Sequence, residues 1–480
     1  MKLHTLLHGV ALTDLPDTEI TSVSSDTNNI AEGCLFVCIK GSKYDGHIVA
    51  LKDDFKAAAV VCEKDLGLKN QIIVSNSRKA YSHICANWFA RPDKKMKIIG
   101  VTGTNGKTTV TTVLHKVIND LGKKTGLIGT VKICIGEKIL HNDRTTPESI
   151  ELFGLLSEMA DAGCEYVVME VSSQALAQFR TGPIHYSAAV FTNLTQDHLD
   201  FHGSMENYYQ AKKMIFSSCD FAVINADDEA GRRYFVELSC PKYTFSTEKT
   251  ADYYADNIKL SSDKSTFWFS DSIKTYYTEF GMPGYFNVSN ITAVLAVCDR
   301  LGFDLDKAIK AVADFGCVRG RTEVIPTNCD FKIICDYAHT PDAIEKVLSN
   351  LRETTKGRLV CLFGCGGNRD RTKRPLMAQA AAKYSDFVIV TSDNPRDEDP
   401  EEIIKEVIEG FKNTLTEYYT QADRKKAIFY AIKNARKNDI IVLAGKGHED
   451  YQVLAGENKV HFDEREIVAE GLDLLGKGQL

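Results

Sequence analysis

Apolar and polar positions change rhythm several times along the 480-residue chain. Residues 1 to about 95 carry short apolar runs, at 34–39 and 58–62, separated by turn residues. Lys97-Ile-Ile-Gly-Val101 then reads as a buried strand, because a short continuous apolar run bounded by turn signals suits a strand covered on both faces. A Gly-rich turn follows, and the 3.6-residue period over about 107–121 predicts a helix that Gly122 ends. Further runs at 166–169, 188–191 and 221–224 predict strands of a parallel sheet, with amphipathic stretches between them. Between about 244 and 279 the pattern becomes an alternation of Ser, Thr, Tyr and Phe, which predicts a short antiparallel sheet grafted onto the middle of the chain. Helix returns over 287–301, and a second α/β series places strands at 332–335, 359–363, 387–391 and 440–444. Asp397–Glu402 reads as a solvated helix start. The reading is α/β with three domains, 1–96, 97–320 and 321–480, as the length also suggests at about 150 residues per domain.

Composition narrows the class. With 58 Lys and Arg against 65 Asp and Glu the net charge is −7, which argues against a basic nucleic-acid binder. No stretch approaches the roughly 20 apolar residues of a membrane span and no signal-peptide pattern opens the chain, so a cytoplasmic protein is expected. Fourteen cysteines lie scattered in apolar runs without CxxC or metal-ligand spacing, and are expected to be small core residues in a reducing compartment.

The chemistry starts at Gly100-Val-Thr-Gly-Thr-Asn-Gly-Lys-Thr-Thr109, where a strand turns into a helix. Glycines let the backbone wrap a phosphate, N–H groups and the helix N-terminus face anionic oxygens, and Lys107 adds a point charge. Thr108 or Thr109 can offer a hydroxyl to Mg²⁺. Val101 stands where the strict GxxxxGK[ST] pattern has its first Gly, so this is a variant phosphate loop. It predicts a nucleoside triphosphate site and leaves hydrolase, kinase and ligase chemistry open. Glu170 lies at the end of one strand and His198 just after another, and at neighbouring strand ends they can share a divalent ion. Lys212, on a helix that Ser204 can cap, reads on its own as an exposed helical lysine.

Gly103-Thr-Asn-Gly-Lys-Thr108, Glu170-Val-Ser-Ser173, Asp197-His-Leu-Asp-Phe-His202 and Asp336-Tyr-Ala-His-Thr-Pro341 together resemble the Mur ligases of peptidoglycan synthesis. The resemblance runs from about Ser22 to Asp463. It implies an N-terminal α/β domain for a UDP-sugar peptide, a central parallel-sheet ATPase domain and a C-terminal Rossmann-like domain that takes the amino acid. It further implies an acyl-phosphate mechanism with ATP and Mg²⁺, with Lys107, Glu170, His198 and a carbamylated Lys212 as catalytic residues. Thr108, Glu170, His198 and the carbamate at Lys212 would hold metal. Gly103, Thr104, Asn105, Gly106, Lys107, Thr108, Thr109, Asn287, Arg321, Asp336 and His339 match positions around ATP. Thr27, Asp45, His47, Thr145, Thr146, Ser172, Gln178 and Arg180 match those around UDP-N-acetylmuramoyl-L-alanyl-D-glutamate. The chain departs from the family pattern at Asp26-Thr-Asn28, where Asp-Ser-Arg is usual, and at Arg319, where proline is common.

Asp393-Asn-Pro-Arg396 is the form that the resemblance associates with addition of meso-diaminopimelate. Arg396 suits the extra carboxylate of that substrate and Glu449 its ammonium, while Arg369, Asp393, Asn394 and Gly445 complete the expected site. The same ligase acting on L-lysine, a folylpolyglutamate synthetase-like ligase and an NTP-dependent switch are the competing readings. The partners expected are these small molecules, with no nucleic acid and no membrane span, and the protein is expected to be a monomer.

Overall fold

The computed structural model describes residues 1–28, 30–41, 44–52, 55–142, 144–261 and 263–480. Three sheets run in chain order. The first has four parallel strands, Ser22–Ser24, Cys34–Val37, Ala59–Cys62 and Gln71–Ile73, followed by helix Ser77–Trp88. Asn76 starts that helix by accepting from the Lys79 N–H, as a polar N-cap residue does.

The second sheet has eleven strands and carries the phosphate loop. At its centre strand Lys97–Thr102 pairs in parallel with Tyr166–Glu170 on one side and Ala188–Phe191 on the other. Glu170 and His198 were expected at neighbouring strand ends. Glu170 ends one of the two strands that flank the loop-bearing one, and His198 lies in the segment that follows the other, Ala188–Phe191. Strands Ala222–Asn225 and Lys242–Ser246 extend the sheet in parallel. The expected antiparallel segment is present as Tyr253–Leu260, Ser265–Ser270 and Thr275–Phe280, and it hydrogen-bonds onto that edge, so it prolongs the same sheet.

Both faces of this sheet are covered. On one, helix Lys107–Asp120 packs with helix Tyr285–Arg300, whose buried residues run almost all round it, as expected for a helix inside a core. On the other, helix Ser149–Asp161 joins the sheet to helix Ser77–Trp88, so the N-terminal unit shares a continuous apolar core with the centre. At about 25 cal/mol per Å² of apolar area buried, this shared core holds the two units together far more strongly than their few polar contacts.

The third sheet orders its strands Glu323–Ile325, Lys332–Asp336, Ile440–Ala444, Leu359–Cys365, Phe387–Ser392 and Glu417–Gln421. All pairings are parallel except the first, and apolar clusters lie on both faces. A hairpin, Tyr451–Leu454 with Asn458–His461, stands apart from the sheets. Helix Pro400–Ile408 begins at its cap Asp399, within the acidic run read as a helix start. All fourteen cysteines are free thiols and ten of them are buried. Among the described residues no helix is long and apolar enough to cross a membrane.

Candidate active site

The loop Gly103–Gly106 turns from strand into helix with two glycines that no other residue can replace cheaply. Gly106 has φ +88°, and a Cβ there would lie 2.5 Å from Asn290 Oδ1; a Cβ at Gly103 would lie 1.9 Å from Thr192 Oγ1. The adjoining strand end pins the loop. Thr104 N–H donates to the Asn193 carbonyl at 2.8 Å, Asn105 N–H to Asn193 Oδ1 at 2.9 Å, and Thr192 Oγ1 donates to the Asn105 carbonyl at 2.5 Å. The loop is therefore held open with helix Lys107–Asp120 pointing its N-terminus into it.

Two lysines meet at one carbonyl. Lys107 Nζ donates to the Gly103 and Thr104 carbonyls, each at 2.9 Å, and Lys212 Nζ donates to the same Gly103 carbonyl at 2.8 Å. Lys212 is buried, 1% exposed, and its Nζ lies 4.4 Å from the Tyr208 ring centroid. Burial and the neighbouring Lys107 push the Lys212 amine well below its ordinary pKa, although Asp197 pulls the other way. Lys107 is also lowered, by burial, against the pull of Glu170 and Asp197.

Glu170 is fully buried. Its Oε2 accepts from Thr108 Oγ1 at 3.1 Å and Thr130 Oγ1 at 3.0 Å, and its Oε1 from the Thr130 N–H at 2.7 Å. This set of hard oxygens suits a magnesium ion, which binds through one or two carboxylates plus substrate phosphates. Among the described residues no three His, Cys, Asp or Glu side chains form a ready cage, and an ammonium at Lys212 would repel a cation. His198, in the left-handed region at φ 51°, has Nε2 3.4 Å from Asp197 Oδ2; burial holds its pKa down, with Lys107 and Lys212 adding to that and Asp197 opposing it.

Thr145, Thr146, Ser172, Gln178 and Arg180 converge beside the Glu170 strand end. Thr146 Oγ1 donates to the Glu170 carbonyl at 2.9 Å and accepts from the Ser172 N–H, while Ser172 caps helix Ser173–Ala177. Arg180 donates to the Thr146 carbonyl and to Gln178 Oε1, and pairs with Glu148 at 2.9 Å. Thr145 Oγ1 lies 3.0 Å from Thr130 Oγ1, whose own proton goes to Glu170, so Thr145 is the donor in that pair. Asp45 and His47 lie apart from this group. Asp45 caps a short helix, and His47 has Nδ1 2.8 Å from Asp45 Oδ1 while its Nε2 accepts from the Glu63 N–H, so both ring nitrogens are engaged within the N-terminal unit. Thr27 is half-buried on the turn that Asp26 Oδ1 closes onto the Asn28 N–H.

A cavity of about 460 Å³ lies between the second and third sheets, lined by Asn105, Gly106, Thr108 and Thr109 on one side and Arg321, Asp336 and His339 on the other. Arg321 bridges it by donating to Thr108 Oγ1 at 3.1 Å, and its guanidinium lies over the Tyr337 ring. Asp336 accepts from the Thr322 and Ala338 N–H groups at 2.7 and 2.8 Å, and burial raises its pKa against these donors. His339 Nδ1 meets the Tyr337 carbonyl at 2.8 Å. Asn287 is buried in the first turn of its helix and donates to the Pro283 carbonyl. Sequence reasoning missed Asp342, whose Oδ2 accepts from both Asn105 and Thr195 across the cavity. It also missed Asn193, although that residue sits in the strand-end segment that drew attention to His198.

At the same carboxyl end of the third sheet as Asp336, Asp393-Asn-Pro-Arg396 follows strand Phe387–Ser392. Arg396 has φ +52° and donates through Nη1 to the Gly367 carbonyl at 2.9 Å. A Cβ on Gly366 would lie 3.0 Å from Arg396 Nη1 and 3.6 Å from Arg369 Cγ, so both arginines flank that glycine. Burial lowers the Arg396 pKa and Arg369 lowers it further. Two positively charged side chains so close together offer attraction to an anionic group such as a carboxylate. Asn394 Nδ2 donates to Glu449 Oε2 at 3.0 Å, and Gly445 turns the chain at φ +113° beside Asp393.

A phosphate loop at the carboxyl ends of a parallel sheet, faced across a cavity by a second parallel sheet, defines a two-lobed nucleotide-binding enzyme. The chain belongs to the Mur ligase family: residues 101–298 match the Mur ligase middle domain and residues 320–447 the Mur ligase, glutamate ligase domain. It is 44% identical over 460 residues, 95% of each chain, to UDP-N-acetylmuramoyl-L-alanyl-D-glutamate–2,6-diaminopimelate ligase 1 of Clostridium acetobutylicum. The corresponding ligase of Clostridioides difficile is 40% identical over 98% of this chain and 99% of its own. A solved structure of a UDP-N-acetylmuramoyl-L-alanyl-D-glutamate–2,6-diaminopimelate ligase superposes with a TM-score of 0.70 at 31% identity, covering 99% of both chains.

Proposed function

We propose that this chain is an ATP-dependent ligase that joins meso-2,6-diaminopimelate to the D-Glu γ-carboxylate of UDP-N-acetylmuramoyl-L-alanyl-D-glutamate, in peptidoglycan precursor synthesis. Residues 1–96 hold the UDP portion, 97–320 the ATP, and 321–480 the amino acid. The substrates are intracellular nucleotides and amino acids, which puts the reaction in the cytoplasm.

The γ-carboxylate oxygen attacks the γ-phosphorus of ATP, ADP leaves, and an acyl phosphate forms. The neutral diaminopimelate amine then attacks the acyl carbon, the tetrahedral adduct expels phosphate, and the nitrogen gives up one proton to solvent or the departing phosphate, leaving an amide with one N–H. Gly103–Thr109 cradle the phosphates, and Lys107 offsets the charge that builds as an anionic carboxylate meets a triphosphate. Arg321, reaching Thr108 from across the cavity, ties closure of the third sheet to occupation of the loop. Arg180 and the Thr145–Thr146 pair orient the D-Glu carboxylate beside Glu170. Mg²⁺, held by Thr108, Glu170 and His198, would add Lewis-acid screening of the same charges. Lys212 joins this set as a carbamate. Its depressed pKa supports that role, because only the neutral amine takes up CO₂, and the product is an anionic oxygen donor.

The observation that carries the choice of amino acid is the pair Arg369 and Arg396 around Gly366, with Glu449 close to Asn394. Lysine lacks the far carboxylate that this pair would receive. Phosphate release measured with the UDP-dipeptide and meso-diaminopimelate, L-lysine or L-ornithine tests the proposal. Diaminopimelate is expected to be preferred strongly, and a comparable kcat/KM for L-lysine would refute it.

A further inference from the structure

Lys446 lies in the loop after strand Ile440–Ala444 and has no exposed surface. Its ammonium has three N–H groups, and three acceptors use them. Nζ donates to Asn394 Oδ1 at 2.5 Å, to Glu449 Oε2 at 3.1 Å and to the Tyr451 carbonyl at 2.9 Å. Asp393 Oδ1, buried, also lies 3.1 Å from Nζ and forms an ion pair with it, with the Arg424 guanidinium adding to the attraction.

These contacts set the orientation of Asn394. Its Oδ1 accepts from Lys446 and from the Val453 N–H at 2.9 Å, so its NH₂ must face the other way, where it donates to Glu449. One buried cation thus ties the Asp393–Arg396 turn, the loop bearing Glu449 and the hairpin strand Tyr451–Leu454 into one rigid cluster. Its charge count is one ammonium against two carboxylates, which leaves an excess negative charge near Glu449, while Arg369 and Arg396 leave excess positive charge beside it. A zwitterionic amino-acid head matches both.

We propose that Lys446 is a positioning residue that sets the amino-acid specificity of the ligase by orienting Asn394 and Glu449 towards the distal head of the incoming amino acid; this rests on the function proposed above. Replacing it with methionine keeps the volume and removes the cation. Steady-state kinetics of Lys446→Met should show KM for meso-diaminopimelate raised at least thirtyfold, with KM for ATP and for the UDP-dipeptide within twofold of wild type. The ratio of kcat/KM for diaminopimelate over L-lysine should fall at least tenfold. A folded variant with unchanged amino-acid KM, or with all three KM values rising together, overturns the proposal. Lys446→Gln is read in the same way if the methionine variant does not fold, and failure of both to fold assigns the lysine a purely structural role and also overturns it. If the wild-type enzyme prefers L-lysine, the proposed substrate is wrong, yet the split between amino-acid and nucleotide KM values still tests Lys446.

Discussion

Replacing Arg396 with glycine separates what its side chain does for the substrate from what it does for the fold. At φ +52° a non-glycine residue carries strain of about 1–2 kcal/mol, which glycine relieves. Against this stand about 0.5–1 kcal/mol of extra chain entropy lost by glycine and about 1 kcal/mol for the hydrogen bond from Nη1 to the Gly367 carbonyl. The sum is within about 1 kcal/mol of zero, so Tm should stay within about 2–4 °C of wild type. The substrate loses far more. A hydrogen bond to a charged group contributes about 1.5–3 kcal/mol, and a two-pronged guanidinium contact about twice that before Arg369 compensates. A net loss of about 3 kcal/mol lowers kcat/KM for meso-diaminopimelate roughly a hundredfold. Activity with L-lysine, which lacks the carboxylate, should change little. Coupled phosphate-release assays and a thermal melt on the same preparation decide the matter. A variant that melts normally and keeps kcat/KM for diaminopimelate within threefold would refute the assignment.

Two further outcomes follow from the packing. Gly106→Ala sets a Cβ 2.5 Å from Asn290 Oδ1 at a backbone φ of +88°, and calorimetry should find ATP affinity at least tenfold weaker with the overall fold retained. Arg424 and Glu464 form an ion pair with no exposed side-chain surface, and Arg424 also donates to the Ser392 and Ala444 carbonyls at the two strand ends beneath the amino-acid site. Arg424→Met should cost about 3–5 kcal/mol in urea unfolding because Glu464 is left buried and uncompensated, and a cost under about 1 kcal/mol would contradict this.

Much of the architecture was legible because parallel strands buried on both faces are written as apolar runs, and those at 188–191 and 440–444 match their strands end to end. The phosphate loop was legible because its glycines answer to local backbone demands. Strand order was not, since nothing in the segments carrying Glu170 and His198 says that the loop-bearing strand inserts between them. Asp342 was invisible for the same reason, because its bond to Asn105 spans 237 residues of chain. Taken alone Lys212 reads as an exposed helical lysine, and only the family resemblance set it in the site, although the helix pattern itself carried a signal of burial. Tyr208, Ala211, Lys212 and Ile215 follow the i, i+3, i+4, i+7 spacing of one helix face, and all four are buried. A charge on the apolar stripe of a helix was therefore the clue.

That burial makes Lys212 a conflict between stability and function, and the conflict has a pH signature. In the folded protein the amine is pushed well below its ordinary pKa by burial and by Lys107, whereas in the unfolded chain it titrates near about 10.4. Between the two values the unfolded chain binds a proton that the folded protein does not. Stability must then rise with pH across that window, by up to about 1.36 kcal/mol per unit from this one group. Lys212→Met removes the titration and fills the same space, and the Gly103 carbonyl keeps Lys107 as its donor. In CO₂-free buffer the variant should therefore melt above wild type near neutral pH, the gap should narrow as pH rises, and ligase turnover should be lost. A variant that melts below wild type at every pH would mean that the Lys212 amine stabilises this fold, and the case for a neutral amine ready to accept CO₂ would fail with it.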